Sequence, residues 1–288
     1  MADALDRIDR FESVFRRADK QHFAFRQLPF GKALLITDDA RATTEGQPYP
    51  WHPLVEALGS EGTGPEIAEV VVGLDGVRVI ADLHEHIRSL QPDLLITHRN
   101  VADPVTLARH SLGVVVDELT QQTKIPVLLL PDDTTGVSRS PASVMVITSH
   151  LYGDHTLVSS AVRFTTANGT LWLCHIEDDE VFDRYIEAIG KIPDINTDLA
   201  RERLHDVLLG EPTEYVESCT TELGQVRPDV TVKSVIRLGH RVADFRRLVD
   251  EHAVDLVVFN TKDETQIAMH GMAYSIAVEF SDVPLLML

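Results

Sequence analysis

Short apolar runs alternate with longer amphipathic stretches along the whole 288-residue chain. The runs are rich in Val, Ile and Leu, as is typical of strands buried on both faces of a parallel sheet. They lie at residues 33–37, 67–72, 93–97, 127–130, 144–148, 170–176, 231–236, 255–260 and 285–288. The stretches between them repeat apolar residues at spacings of three and four, which predicts helices. This alternation predicts βαβ units and an α/β fold with a parallel sheet.

The second half of the chain repeats a passage of the first half. The matching residues form four pairs: Gly76 and Gly239, Asp93 and Asp255, Gly113 and Gly271, and Pro126 and Pro284. In both copies the third of these residues stands thirteen positions before the proline that opens the last apolar run. Solenoid repeats are roughly 20–50 residues long. Because this repeat is longer, it predicts two α/β domains in tandem.

The boundaries follow from composition and from the lengths of the two copies. We predict an N-terminal helical extension over residues 1–28, a first domain over 29–131, a linker over 132–142 and a full second domain over 143–288. The linker is rich in Pro, Gly, Ser and Thr. The first strand and the repeated block are separated by 82 residues in the second half (149–230) but by 29 in the first (38–66). The first domain is therefore predicted to be truncated, with one strand and much helix missing.

Two helices can be predicted from local signals. Residues 3–20 place the apolar side chains of Leu5, Ile8, Phe11, Val14 and Phe15 on one face. We expect that face to dock on the chain's own domain, although a protein partner or a membrane could also use it. Asp103 and Pro104 are a typical helix start. The predicted buried stripe of that second helix is Val105, Ala108, Leu112, Val115 and Leu119.

Charge and cysteine content exclude several classes of protein. The formal charge of −19 repels nucleic acids and anionic lipids. The two cysteines make no disulfide framework, so a reducing compartment is expected. No run approaches the ~20 apolar residues of a membrane span, and the charged N-terminus does not resemble a signal peptide. These features favour a cytoplasmic protein without nucleic-acid or membrane partners.

The repeated pattern resembles the universal stress protein family in its tandem form. The likeness rests on the opening strand at 144–148, on TLWLCHIED at 170–178, on DLLIT and DLVVF, and on the spacing from Gly113 and Gly271 to their prolines. The resemblance implies two Rossmann-like (adenine nucleotide alpha hydrolase-like) doubly wound sheets of strand order 3-2-1-4-5. It also implies a ligand site at the carboxyl ends of the first and fourth strands of each sheet.

Many members of that family bind ATP through Gly-x2-Gly-x9-Gly-Ser/Thr after the fourth strand. Glycines there let backbone N–H groups approach the phosphates. This chain keeps the final glycines, Gly113 and Gly271, but departs from the rest of the motif. The first two glycine positions hold His98 and Val101 in one half and Asn260 and Asp263 in the other. The hydroxyl positions hold Val114 and Met272. We therefore expect no tight ATP binding.

If a small ligand does bind, the resemblance favours the second half, which keeps the full set of strands. The candidate residues there are Ser149, His150, Asn260, Lys262 and Gly271. The weaker set in the first half is Asp38, His98 and Gly113. Asp38 retains the first-strand aspartate that contacts the nucleoside in the family, whereas Ser149 replaces it in the second half.

Other chemistry is generic in this sequence. His150, Asp154 and His155, with His175 and Asp178 on the neighbouring strand, could hold a metal ion. We favour a strand-to-helix turn in which Asp154 is the N-cap, and we interpret His175 as a packed histidine. Cys174 and His175 point to opposite sides of a strand, which argues against a Cys–His pair. We predict no catalytic residues and no metal site.

These features lead to one functional hypothesis and two alternatives. The chain is interpreted as a non-catalytic binding or regulatory protein of stress response, without tight ATP binding. The first alternative is an ATP or AMP sensor, or a weak ATPase, with an atypical phosphate loop. The second alternative is a metal-dependent hydrolase.

The two closing strands provide the structural prediction that is simplest to check. Residues 127–130 and 285–288 are wholly apolar, and each should end its sheet. An exposed apolar edge promotes aggregation because its backbone groups are unpaired. We predict that the two strands pair antiparallel and make an intramolecular pseudo-dimer. A further homo-oligomer is compatible with this arrangement.

Overall fold

The computed structural model describes residues 22–28, 30–38, 49–56, 58, 64–73, 76–102, 111–131, 137, 140–148, 154–262, 269 and 271–288. The first half contains β1 (Lys32–Asp38), α1 (His52–Glu56), β2 (Glu66–Val72), α2 (Gly76–Leu90), β3 (Leu94–His98), α3 (Val114–Gln122) and β4 (Val127–Leu130). The second half contains β5 (Ser143–Thr148), α4 (His155–Phe164), β6 (Thr170–Asp178), α5 (Asp179–Gly190), α6 (Thr197–Val226), β7 (Thr231–Gly239), α7 (Arg241–Glu251), β8 (Leu256–Phe259), α8 (Gly271–Glu279) and β9 (Leu285–Met287).

The strands form one nine-stranded sheet with the order β2-β1-β3-β4-β9-β8-β5-β6-β7. Neighbouring strands are parallel except at the junction of β4 with β9. The second half has the predicted order 3-2-1-4-5, because it reads β7-β6-β5-β8-β9. The first half contributes four strands among the described residues, with none beyond β2. The α/β fold class with doubly wound parallel strands is confirmed.

The predicted antiparallel pairing of the closing strands is present. Leu128 lies opposite Leu286, with Val127 opposite Met287 and Leu129 opposite Leu285. All the side chains of both strands are buried. The two halves therefore share one continuous sheet, and neither closing strand is left as an apolar edge.

Each face of the sheet carries its own hydrophobic layer. On one face, α2, α3, α7 and α8 pack over alternate side chains of the strands. On the other face, α4 and α6 cover the second half, α1 packs in the same layer, and Phe23 and Phe30 contact α4 and α6. Both layers run across the β4–β9 junction, so the core is continuous between the halves.

The repeated aspartates have the same structural role in both halves. Asp93 precedes β3, and its Oδ2 accepts hydrogen bonds from the backbone N–H groups of Gly31 and Lys32, at 2.9 and 3.0 Å. Asp255 precedes β8, and its Oδ2 accepts from Ala142 and Ser143, both at 2.9 Å. In each case a carboxylate satisfies the donors at the start of the neighbouring strand, which explains why this residue is repeated.

A short N-terminal strap, residues 22–28, packs on helices of the second half. The strap runs over α4 and α6 before the chain enters β1. Phe23 is buried, its N–H donates to Ser218 Oγ at 2.8 Å, and its ring meets Tyr215 edge-on with centroids 6.2 Å apart. The Arg26 N–H donates to Ser159 Oγ at 3.0 Å. The start of the chain is thus fixed to the second half.

The predicted helix from Pro104 does not continue to Leu119 without interruption. Residues 111–113 are not helical, and α3 begins at Val114. Gly113, its N-cap, has φ 90° and ψ 155°, in a region that favours glycine. Residues 103–110 lie outside the described residues, as do residues 3–20 and most of the linker. The sequence pattern was misleading because apolar residues on both sides of Gly113 share a helical spacing.

Among the described helices, none has the length and apolar character needed to cross a membrane.

Candidate functional site

The candidate site lies where the strand order reverses, which is where open α/β sheets bind ligands. In the second half this is the edge formed by the carboxyl ends of β5 and β8. Asn260, Thr261 and Lys262 follow β8 directly, whereas Ser149 and His150 lie outside the described residues. In the first half the corresponding edge is formed by β1 and β3, and His98 ends β3.

Asn260 is held by the start of α4. Its side-chain amide donates to Asp154 Oδ2, while Asp154 Oδ1 accepts from the Leu157 N–H at 2.8 Å and caps the helix. The predicted role of Asp154 as N-cap is confirmed. A ligand that entered between β5 and β8 would have to displace this amide–carboxylate contact.

Lys262 reaches into the other half of the molecule. Its Nζ donates to the backbone oxygen of Gln121 at 2.7 Å. Gln121 lies in the last turn of α3, where carbonyl groups lack helical partners and carry partial negative charge. Burial lowers the pKa of Lys262, and nearby Lys124 lowers it further. The cation that was expected to face a ligand is therefore bound to a helix terminus.

Arg99 makes the reciprocal contact from the first half. It follows β3 directly, is 4% exposed, and donates from Nη2 to the backbone oxygen of Phe280 at 2.8 Å. Phe280 follows the last residue of α8. β3 and β8 are equivalent strands of the two halves. The loop after each of them therefore contributes a cation that binds the carboxyl end of a helix in the other half: Arg99 at α8 and Lys262 at α3. We call these two contacts the reciprocal clamps.

The remaining candidates of the first half are occupied by local structure. Asp38 Oδ2 accepts a long hydrogen bond from the Ala102 N–H at 3.5 Å, and His98 is 6% exposed. The N–H of Gly113 donates to Ser111 Oγ at 3.1 Å. A phosphate-binding loop uses N–H groups of this kind for its ligand. Here the loop uses one of them internally.

Gly271 is the first residue of α8. A Cβ at this position would meet nothing within 4 Å in the described structure, and Ser275 Oγ donates to its backbone oxygen at 3.0 Å. Space therefore does not require glycine at Gly271. This differs from Gly239, where a Cβ would overlap Asp244 Oδ2.

The histidines are distributed among separate structural contacts. His155 Nδ1 accepts from the Ala24 N–H at 3.1 Å. His175 is buried, with Nε2 3.5 Å from Glu177 Oε2. Within the described ranges, no group of three or more His, Cys, Asp or Glu side chains could hold a metal ion. His150 lies outside those ranges.

Neither cysteine is activated as a nucleophile. Cys174 and Cys219 are fully buried, and desolvation raises the pKa of both thiols to about 12. A thiolate is the reactive form of cysteine, and such pKa values suppress it at neutral pH.

Sequence reasoning missed Arg99 and the strap. An arginine directly after a strand as apolar as β3 is a usable signal, because a charged residue beside a buried strand needs a partner. The identity of that partner, a carbonyl about 180 positions away, had no local signal. The strap has one fully buried apolar residue, Phe23, with Phe25 and Leu28 partly buried, and it is too short for a periodic pattern.

The fold resembles solved structures at low sequence identity. A universal stress protein from Archaeoglobus fulgidus DSM 4304 is 14% identical, with 89% of this chain and 98% of that chain covered and a TM-score of 0.53. A putative universal stress protein from Pseudomonas aeruginosa UCBPP-PA14 is 12% identical over 91% of this chain and 94% of that chain, with a TM-score of 0.50.

A functionally unknown protein from Pseudomonas aeruginosa PAO1 gives the same TM-score, 0.50, at 12% identity over 91% of this chain and 93% of that chain. No protein-family model matches the sequence, and no curated protein matches it significantly. The likeness therefore lies in the architecture, and the chain has the fold of the universal stress proteins.

Proposed function

We propose that this protein is a non-catalytic binding or regulatory module of stress response, in which the nucleotide-site positions join the two halves of the chain. The reciprocal clamps carry the proposal. Arg99 and Lys262 lie beside positions where ATP-binding relatives would have glycine, and both cations bind helix carbonyl groups across the junction. Residues committed to these contacts are not available to bind phosphates.

Electrostatics supports weak nucleotide binding. The formal charge of the chain is −19, and ATP is itself highly anionic. A phosphate site needs local donors or cations to offset that repulsion. In the described part of the second site, the cation is Lys262, which is bound to Gln121, and the Asn260 amide is bound to Asp154.

The pseudo-dimer belongs to the same proposal. Stress proteins that pair two copies through closing strands would gain a two-site assembly, and this chain makes the equivalent pairing internally through β4 and β9. A module of this kind would act in the cytoplasm and would regulate its partners by binding them through its surface. Further self-association would then use a surface other than the closing strands.

One observation favours the alternative, an ATP or AMP sensor or weak ATPase. Asp38 lies at the end of β1, and the N-cap of α3, Gly113, keeps a glycine conformation. These are two elements of a nucleotide site, and both belong to the truncated half.

The proposal can be tested with the purified full-length protein. Its 260/280 nm absorbance ratio should be that of protein alone, and ATP with magnesium, or AMP, should not raise its melting temperature. A ligand that binds the folded state tightly must raise the melting temperature, by linkage. Co-purified nucleotide, or a rise of several degrees with ATP but not with GTP, would support the sensor instead.

A further inference from the structure

The hairpin formed by α5 and the first half of α6 concentrates the exposed apolar side chains of the described structure. Nine large hydrophobic residues are exposed in the described ranges, and five of them lie in this hairpin: Tyr185, Ile192, Ile195, Leu199 and Val207. Each of the five is 45–57% exposed. Single exposed hydrophobic residues are normal, whereas a concentration of them marks an interaction surface. The hairpin is therefore the strongest candidate for such a surface in the described part of the chain.

The helical residues of this group lie on one side of the hairpin. An ion pair between Asp183 of α5 and Arg201 of α6, at 2.9 Å, marks the opposite side. Tyr185 and Leu199 each lie two positions from a member of that pair, which is about 200° around their helices. Tyr185 and Leu199 are therefore on the same side, away from the ion pair. Val207, eight positions after Leu199, continues that side along α6.

We call this side the α5–α6 flank. It consists of Val181, Tyr185, Ala188 and Ile189 from α5, and of Leu199, Arg203, Asp206, Val207 and Gly210 from α6. Only Arg203 and Asp206 among them carry a charge, and their charges have opposite sign, so the flank is neutral as a whole. The complete chain has a formal charge of −19, so two copies repel each other in general. A neutral apolar surface is where their approach is least opposed.

The two charges of the flank are self-complementary. In a twofold-symmetric dimer both partners use the same surface, so each contact occurs twice. If α6 packs antiparallel to α6 of a second copy, with the axis midway between positions 203 and 206, Arg203 of each copy meets Asp206 of the other. Both side chains are exposed. A register that placed Leu199 opposite Val207 would instead set Arg203 against itself, and like charges oppose that arrangement.

The same axis places Leu199 of each copy opposite Gly210 of the other. Gly210 is half-buried and lies in the interior of the 30-residue helix α6, where glycine is less favourable than alanine. A Cβ at Gly210 would meet nothing within 4 Å in the described structure. The described part of one molecule therefore gives no steric reason for glycine at this position. A leucine side chain from a second copy would fill the open space above it.

We propose that two copies of this chain associate through the α5–α6 flank, in an antiparallel twofold contact in which Arg203 pairs with Asp206 and Leu199 packs over Gly210. The occupant is a second copy because one surface supplies both members of each pair. The contact uses neither the reciprocal clamps nor the β4–β9 junction, so it stands independently of the proposed function. The pseudo-dimer within each chain would then become a symmetric assembly of four halves.

Charge reversal gives a direct test, with sedimentation equilibrium of the full-length protein at low salt as the measurement. The wild-type protein should show a reversible monomer–dimer equilibrium between about 1 and 100 μM. Arg203→Asp and Asp206→Arg should each raise the dimer dissociation constant at least about tenfold, because each places like charges opposite each other twice. These two variants change the net charge in opposite directions, so a general charge effect cannot weaken both. The double variant restores the pairs and should return to within about threefold of wild type.

Arg247→Asp is the matched control for Arg203→Asp. It makes the same charge change on α7, on the other face of the sheet, and should leave the dissociation constant unchanged. Gly210→Leu tests the packing contact: it should weaken the dimer at least about tenfold while the circular dichroism stays that of the folded protein. A wild-type protein that is monomeric at about 100 μM would overturn the proposal. A dimer that neither single reversal weakens, or a double variant no tighter than the single ones, would overturn it as well.

Discussion

The two halves of the molecule differ in completeness but use equivalent loops, at neighbouring positions, for the same contact. Among the described residues, the second half has five strands with α4 and α6 on one face, whereas the first half has four strands and, on that face, the short α1. Nevertheless, each half sends a cation from the loop after β3 or β8 to the closing helix of the other. The clamps and the sheet junction are thus present although fewer strands are described in the first half.

The contacts that join the two halves differ from the contacts that a ligand site would need. We expect folding of the joined molecule to depend on β4, β9 and the clamps, which both halves supply. A nucleotide site would need an open loop of backbone donors after β3 or β8, and the cations described in these loops, Arg99 and Lys262, contact the other half.

The largest expected effect comes from a charge at the centre of the junction. Leu286 is fully buried opposite Leu128. Leu286→Asp should cost more than about 4 kcal/mol of unfolding free energy, because it removes an apolar contact and buries a charge without a partner. The expected result is an aggregated protein, or a strongly lowered midpoint in urea.

Val71→Asp is the matched control for that junction variant. It makes the same kind of change on β2 at the sheet's edge, where Val71 is 46% exposed. Its effect should be below about 1 kcal/mol. Equal effects of Leu286→Asp and Val71→Asp would contradict the central role of the junction.

The buried clamp should have the next largest effect. Arg99→Ala leaves the Phe280 carbonyl without its charged donor in a buried setting, and we expect a loss of about 2 kcal/mol in chemical denaturation. Arg247→Ala, on exposed α7, removes an ion pair with Asp244 in which the Arg247 side chain is 59% exposed. It should cost about 0.5 kcal/mol or less. If the two arginine variants are equally stable, Arg99 does not act as a clamp.

The half-exposed clamp should be weaker. Lys262→Met keeps the length of the side chain but removes the donor to the α3 terminus, so about 1 kcal/mol should be lost. Lys191→Met removes an exposed pair with Glu187 on α5 and should leave the melting temperature unchanged. A Lys262→Met protein as stable as wild type would show that this contact is incidental.

The smallest effect concerns pH at the same junction. Asp282 precedes β9, and hydrogen bonding from Arg246 lowers its pKa. The contribution of Asp282 to the free energy of unfolding is therefore complete above the pKa of an unfolded aspartate, about 3.9. It is lost as the pH falls through the lowered pKa of the folded state. Because the side chain is mostly exposed, Asp282→Asn should cost less than about 1 kcal/mol at pH 7. The difference from wild type should shrink in acid, and a constant difference down to pH 2 would exclude this origin.

The sheet could be predicted from sequence because its strands are apolar on both faces and because the repeat marks equivalent residues. Asp93 and Asp255 show this best, since the same hydrogen-bond role recurs in both halves. The junction could be predicted because both closing strands are wholly apolar, and each would otherwise leave an exposed edge of the sheet. The prediction of one helix from Pro104 to Leu119 was wrong, because the apolar residues on both sides of Gly113 have a helical spacing although the backbone conformation changes at that glycine.

The site was harder to predict because its contacts join residues far apart in the chain. The departure of Asn260 and Lys262 from a phosphate-loop pattern could be read directly. Gln121, the partner of Lys262, depends on how the two halves join, and Asp154, the partner of Asn260, lies 106 positions away in the same half. No local pattern encodes either contact. The placement of Ser149 and His150 in a ligand site stays a prediction.

A calorimetric titration of the full-length protein with ATP and magnesium tests the central claim most directly. If the loops after β3 and β8 serve to join the halves, the heat of binding should be absent or should fit a dissociation constant weaker than about 1 mM, which corresponds to roughly −4 kcal/mol. A saturable titration with a dissociation constant in the low micromolar range would contradict the account, because it would require loops free to cradle phosphates.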